Sequence, residues 1–525
     1  MQNHRFKFDG FQPEWLIFLA GLIFCLSQLA ASFSHPILDQ YSFRQTQTAI
    51  SVYWIIKGGP WIAYQTPVLG SPWSLPFEFP LYQWLVAIVA KAMPFLSLDE
   101  SGRIISELFF IGMIWPMRRI ASHQERGVSL LLISSGLLML SPIYAFWSRS
   151  FMMESTALFF SAWFVAALMD FLKAPSQFGF TEMTLTAILA AMIKITTFVG
   201  FSFAGALIVL YFAYRDRTRI ATARQIIIYG GIAVAIAASV LMLWLWVHYS
   251  DELKSGNLVG RLYTGAALKR WNFGTLAQRE SAALMEVILR RAPNEAVGLW
   301  PVVGIATLIA AVMLPRPKLI VYCMLLGLYV APFFIFTNLH LVHEYYQYAN
   351  SIFLVLGMGY VAHALLPTRP IIAYSFLALV VLSQMYGYWK YFYQDLTLPN
   401  RQLQILLADY LRKNTDQKDV IAGFGLDWSP EVPYYAERRA LLIPDAANND
   451  MLNTIASNPL NFTDGSRIGA VVVCPNKLSD TPLKIAAYNR LIHSLTEGLT
   501  LHSVGFCNVY SAQESTLNQI TDKTL

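Results

Sequence analysis

Apolar stretches long enough to cross a membrane recur along this sequence from Trp15 to about Trp389 and then stop. A bilayer core takes roughly 20 apolar residues of helix to cross, and within it every backbone N–H and C=O must be paired by the chain itself. Runs of this kind can therefore only be helices. Charged residues make up 13% of the 525-residue chain, far below the roughly 25% of a soluble protein. The expected fold class is a polytopic α-helical membrane protein with about eleven transmembrane helices and a C-terminal soluble α/β domain. The expected division is a multi-spanning domain over 1–392, including outer-face loops 34–80 and 249–295, and a soluble domain over 393–525.

The distribution of charge orients the helices. The formal net charge is +6, but no concentrated basic face marks a nucleic-acid binder, and the lysines and arginines instead flank the apolar runs. His4, Arg5 and Lys7 precede the first run, 15–33, which is longer than a cleaved leader's core and reads as a signal anchor leaving the N-terminus inside. Residues 102–117 then run inward, 128–147 outward and 153–171 inward to Lys173. Residues 181–193 and 196–214 form a tight pair returning to the inner cluster Arg215, Arg217 and Arg219. Residues 225–247 run outward, 297–314 inward to Arg316 and Lys318, 319–336 outward, 348–366 inward to Arg369, and 371–389 outward into the tail. Residues 81–93 are short, contain Gln83 and Lys91, and are expected to lie flat or re-enter. Over 43–57, Ala49, Val52, Tyr53 and Ile56 share one helical face while Gln45, Gln47 and Ser51 fall elsewhere, as in a helix lying along the interface. The expected topology leaves the tail outside.

In the tail, strand-like runs at 420–425, 440–443 and 468–474 alternate with helical patterns at 400–413, 448–457 and 483–496, which predicts a small layered α/β domain. Gly423-Phe424-Gly425 lacks the spaced glycines of a nucleotide-binding loop and reads as a turn. Cys474 and Cys507 either form a disulfide or remain two thiols, and no cysteine spacing suggests zinc or an iron–sulfur cluster.

On this topology, ionisable residues gather on the outer side, where they are costly to desolvate unless paired or used. Asp39 lies just beyond the first helix, with helix capping or a salt bridge to Arg44 as its structural alternatives. Glu78 stands among Pro76, Phe77, Phe79 and Pro80. Glu154 opens a helix five residues after Arg149, where the helix dipole alone favours a carboxylate. Lys194 splits the apolar run 187–200 and can either cap a turn near the surface or reach an anionic headgroup. His343-Glu344-Tyr345-Tyr346 lacks the spacing of a zinc protease.

Asp39 with Arg44, then Pro76-Phe77-Glu78-Phe79-Pro80-Leu81-Tyr82, then Arg149 and Glu154, then His343 to Tyr346, resemble in order and spacing the GT-C membrane glycosyltransferases. Lipid A aminoarabinose transferases and protein O-mannosyltransferases are the most similar branches, over about residues 10–390. The resemblance implies transfer of a sugar from a polyprenyl-phosphate donor to a cell-envelope glycan, lipid or protein acceptor on the outer face of the cytoplasmic (inner) membrane of a bacterium. It implies that Asp39 is the catalytic carboxylate and that Glu78 matches the family's Phe-Glu-Lys-Pro-Pro glutamate, with Phe79 in place of the lysine. Glu154 stands where an aspartate is usual, and the resemblance makes Asp39, Glu78 and Glu154 the candidate catalytic carboxylates. Displacing a lipid phosphate from an anomeric carbon needs a base near the acceptor oxygen and cations near the departing phosphate. Arg44, Lys194 and Arg270 are the candidate cations, with Arg149, His343 and Tyr345 as further substrate-binding groups. A divalent metal held by Asp39 with Glu78 or Glu154 is compatible with these carboxylates. The expected partners are the lipid-linked donor, the acceptor and membrane lipids, with no nucleic acid. The rival classes are a transporter or flippase of polyprenyl-linked lipids, which would place charges mid-membrane in repeated halves, and a noncatalytic scaffold.

Overall fold

The computed structural model describes residues 12–216, 222–397, 402–475 and 482–511. Arg217 and Arg219, like His4, Arg5 and Lys7, lie outside the described residues. The chain forms two compact units. One takes its described residues from Met1–His35, Asp99–Trp246 and Lys269–Leu398, and the other from Pro36–Leu98, Val247–Leu268 and Pro399–Leu525.

Among the described residues, seven helices are long and apolar enough to cross a membrane: Glu14–Ser32, Glu154–Lys173, Gln177–Arg215, Ala223–Ser255, Arg316–Ile335, Glu344–Leu365 and Pro370–Tyr391. A bent pair, Ala282–Val297 with Trp300–Val312, makes eight. The expected eleven is thus corrected to seven or eight: the expected pair 181–193 and 196–214 falls within the one helix Gln177–Arg215, and local chemistry divides two further runs. Residues 102–117 divide between the helices Leu98–Gly112 and Ile114–Ala121, the second carrying Pro116 in its first turn, and Arg103 and Glu107 lower the apolarity of the first. Residues 128–147 divide at extended Ser141, where Pro142 opens a new helix. The bent pair turns by 93° around Gly298, whose φ of 88° suits glycine.

The helix Gln177–Asp216 is interrupted at Lys194, where φ is −162° and ψ is 95°. Met183 and Phe212 belong to one buried cluster with Leu168 and Phe171 of the helix Glu154–Lys173. A straight helix would hold Met183 and Phe212 roughly 43 Å apart. The chain therefore doubles back at Lys194, and both arms pack on the helix Glu154–Lys173.

Other contacts in this unit follow membrane packing rules. A Cβ on Gly21 would meet the carbonyl oxygen of Gly136 at 2.7 Å, so the helices Glu14–Ser32 and Gly127–Leu140 approach through small residues. The helix Tyr348–Leu365 is buried along nearly its whole length and forms the centre of the unit. Leu16, Ile23, Leu210, Ile226, Val240 and Leu382 are exposed, as apolar side chains facing lipid are.

The second unit is built on a five-stranded sheet of β1 (Val420–Phe424), β2 (Arg439–Leu442), β3 (Ile468–Val473), β4 (Thr500–Val504) and β5 (Cys507–Ser511). The strand order is β2-β1-β3-β5-β4, with β1 parallel to β2 and β3, and β5 antiparallel to β3 and β4. Val420, Ala422, Phe424, Leu441 and Val471 form its core with Leu452, Ile455, Ala487 and Leu491 of the helices Asn449–Ser457 and Pro482–Thr496. Trp73, from the first loop, is part of the same core. That loop also covers the β2 edge: the Ala440 and Leu442 amides donate to the Pro67 and Val68 carbonyls at 2.9 Å, and the Gly70 amide donates to Ala440. A disulfide joins Cys474 to Cys507, and Gly425 makes its turn at φ 75°.

Two further expectations are corrected here. Residues 249–295 are not a polar loop. The helix Thr222–Ser255 continues into them, followed by short helices at Gly260–Tyr263, Lys269–Phe273, Leu276–Arg279 and Ala282–Glu286. Helix Ser42–Ile56 does form over 43–57, but Gln45, Gln47 and Ser51 are buried rather than facing water. Their burial is satisfied by partners: the Gln45 amide donates to Asp39, Gln47 accepts from Arg44, and Ser51 bonds Thr66 at 3.0 Å.

Candidate active site

The predicted site residues fall into two groups, one in each unit. Asp39, Arg44 and Glu78 belong to the sheet-containing unit. Tyr41, between Asp39 and the helix Ser42–Ile56, has φ 51°, a left-handed conformation that a bulky residue adopts at some cost. The turn is closed by the Ser42 amide donating to the Asp39 carbonyl at 3.2 Å and by the Gln45 side chain, which donates to the Asp39 carboxylate and, at 3.0 Å, to the Gln40 carbonyl. Gln45 lies on the first turn of the helix, so the helix and the carboxylate are fixed together.

Arg44 pairs with Glu78 and also donates to Gln47. The Tyr64 hydroxyl accepts from the Phe77 amide at 2.7 Å and donates to the Glu78 carbonyl at 3.0 Å. Burial, with the Glu78 charge adding to it, pushes the Tyr64 phenol far up, so it stays a neutral donor. Lys254, which sequence reasoning passed over, is buried in this unit, 2.9 Å from Asp251 and 5.5 Å from the centre of the Phe77 ring. Its only signal was an Asp-x-x-Lys pair at the end of an apolar helix. Trp428 of the tail meets the Tyr263, Phe43 and Phe77 rings at 4.4, 4.7 and 5.8 Å.

Arg149, Glu154, Lys194, Arg270, His343 and Tyr345 belong to the other unit. Lys194, at the apex of the helical hairpin, pairs with Glu154 at the start of the helix Glu154–Lys173. Its ammonium also lies 5.1 and 4.6 Å from the ring centres of Tyr345 and Tyr346. Of the two alternatives for Lys194, a cap near the surface is corrected: it is 5% exposed, because the hairpin turns it inward against a carboxylate and two rings. Arg149 is fully buried, with its guanidinium 4.3 Å from the Phe146 ring, and its carbonyl accepts from Arg103 at 3.4 Å. His343 lies 5.9 Å from the Trp271 ring and 5.4 Å from the Tyr345 ring. Arg270 is exposed on the helix Lys269–Phe273. Sequence reasoning missed Arg291, which donates to the carbonyls of His340 and Leu341, and the buried Arg103 and Glu107. Burial, followed by Arg291 and Lys194, drives the His340 imidazole down to about 3, so it is neutral.

Among the described residues, no three His, Cys, Asp or Glu side chains converge as a metal site would require. Glu78 and Glu154 already face Arg44 and Lys194.

No protein-family model matches the sequence, and no curated protein is significantly similar to it. Solved structures do share its fold. ArnT from Cupriavidus metallidurans bound to undecaprenyl phosphate superposes with a TM-score of 0.59 at 12% identity, over 95% of this chain and 98% of that one. The chain has the GT-C fold. The apo state of the same ArnT gives a TM-score of 0.56 at 13% identity, over 95% and 97% of the two chains. The arabinofuranosyltransferase AftD from Mycobacteria gives 0.51 at 14% identity, over 96% of this chain and 40% of that one. The GT-C likeness to ArnT runs through the C-terminal α/β region, well beyond the residues 10–390 that carried the resemblance in sequence.

Proposed function

We propose that this protein is a glycosyltransferase that moves a sugar from a polyprenyl-phosphate donor to a cell-envelope glycan, lipid or protein acceptor. The observation that carries this reading is the near full-length likeness to ArnT solved with undecaprenyl phosphate. The acceptor hydroxyl oxygen attacks the anomeric carbon as the bond to the donor phosphate breaks. The hydroxyl proton passes to Asp39, and the electron pair leaves with the polyprenyl phosphate. The turn at Tyr41 and the Gln45 amide hold the Asp39 carboxylate in place for this role. Arg44, oriented by Glu78, offers a rigid two-nitrogen fork to phosphate oxygens, and Lys194, oriented by Glu154, offers a point charge. Arg149, Arg270, His343 and Tyr345 are further candidate substrate-binding residues.

Asp39→Asn keeps the side chain's volume and removes its basicity. Transfer should fall at least roughly 100-fold in the folded protein while donor binding persists. Near-normal transfer by folded Asp39→Asn in nanodiscs removes Asp39 from the chemistry. Translocation of the lipid donor without cleavage would favour the flippase reading instead.

The same reading sets the N-terminus inside and residues 393–525 outside the cytoplasmic membrane, in keeping with Lys173, Arg316, Lys318 and Arg369 at helix ends. A cysteine probe in the tail should label in intact cells and one at 215–219 should not. The reverse pattern moves the active face.

A further inference from the structure

In parallel α/β sheets, ligands bind beyond the carboxyl ends of the strands, where successive connections leave in opposite directions. The tail has one such point. From β1 the chain crosses to β2 on one side and then returns to β3 on the other, so the crevice opens between the ends of β1 and β3. A cavity of about 300 Å³ lies there, at the lower end of the range of small-molecule sites. Gly425 and Leu426 line it from the end of β1, and Cys474 and Pro475 from the end of β3. Gly425 makes the crevice geometrically feasible: a Cβ there would fall 2.2 Å from the Cys474 carbonyl oxygen.

The lining has a polar side and an apolar side. Glu431 is only 8% exposed and accepts from the Gln404 amide at 3.2 Å and from the Ser42 hydroxyl. Ser429 and Gln404 stand with it in the lining. Leucines 403, 407 and 426 and Val432 form the apolar part. At the rim is Phe506, 67% exposed in the two-residue turn between β4 and β5, and the Cys474–Cys507 disulfide ties that turn to the end of β3.

We infer that this crevice binds a neutral sugar residue. A carboxylate, an amide and a hydroxyl give vicinal sugar hydroxyls both acceptors and donors, and Phe506 with the leucines offers a flat face to the ring's C–H groups. Among the described residues the lining contains no lysine, arginine or histidine, and its one charged side chain is the Glu431 carboxylate, which disfavours a phosphate. One carboxylate is too few for a cation site. Assigning the bound sugar to the acceptor glycan rests on the glycosyltransferase reading; the binding itself does not.

The test is saturation-transfer NMR on the full chain in nanodiscs, with methyl glycosides of neutral hexoses, pentoses and N-acetylhexosamines as probes and inorganic phosphate as the anion control. At least one glycoside should bind at roughly millimolar affinity. Leu426→Trp, which fills the crevice, should abolish its signal. Glu431→Gln, isosteric and folded, should weaken binding roughly tenfold through loss of charge-assisted hydrogen bonds. Asp39→Asn should leave it unchanged. Absence of any glycoside signal overturns the inference, as does equal binding by folded Leu426→Trp and Glu431→Gln, or a phosphate signal that Leu426→Trp removes. Glycoside binding that depends on the crevice in a protein without transfer activity would keep the site and discard the glycosyltransferase reading. Transfer without such binding would do the opposite.

Discussion

Glu154 and Lys194 meet in one unit with side-chain exposures of 4% and 5%, whereas Glu78 and Arg44 meet in the other at 24% and 14%. The residue types are alike, but their surroundings give the pairs different work. Taking both charges out of water costs several kcal/mol per ion, repaid only while each remains opposite the other. The buried pair therefore locks the hairpin apex to the start of the helix Glu154–Lys173, with the Tyr345 and Tyr346 rings adding cation–π attraction. The more open pair keeps part of its hydration and contributes little to folding. Its cation is correspondingly easier to redirect toward a ligand.

The largest effect should come from halving the buried pair. Lys194→Met leaves Glu154 charged and buried, and should cost roughly 3–5 kcal/mol, read as a large drop in unfolding temperature in nanodiscs. Glu154→Gln combined with Lys194→Met should recover most of that loss. A single variant as stable as the parent would erase the contrast between the two regions.

The same buried region should show a pH signature. His340 is held neutral in the folded state at a pKa of about 3, against roughly 6.5 when unfolded. Between these values the unfolded chain binds the extra proton. The contribution of this site is therefore complete above about pH 6.5 and is lost as pH falls toward 3, at up to about 1.4 kcal/mol per pH unit. His340→Asn should flatten the acid side of the stability–pH curve, and an unchanged slope would show that the imidazole is protonated in the folded state.

The smallest effect on folding belongs to the open pair. Arg44→Gln should change stability by no more than about 1 kcal/mol, while the donor concentration needed for half-maximal transfer rises roughly tenfold through loss of a charge-assisted phosphate contact. A large stability loss with unchanged donor dependence would make Arg44 a structural residue.

The membrane body and the α/β tail were legible because their signals are local. Apolar runs report helices, and the runs 420–425, 440–443 and 468–474 became β1, β2 and β3. The count of spans was less legible, since a hydropathy pattern does not say where Pro116, Pro142 or Gly298 will divide an apolar run. The interfacial reading of 43–57 failed for a related reason: amphipathic spacing describes a helix face, and only the packed structure shows that Gln45, Gln47 and Ser51 find buried partners.

By itself, the sequence determined that this chain must live in a bilayer, that its backbone there is helical, that a soluble α/β domain follows, and which carboxylates deserved testing. Those properties depend on composition and on spacings of a few residues. Tertiary structure alone decided that Arg44 faces Glu78, that Lys194 turns inward to Glu154, that Cys474 meets Cys507, and that the first loop edges the tail's sheet. Each of these joins groups more than 30 residues apart. A charge's partner and its hydration are set by which distant segments fold against it, and no local pattern encodes that choice.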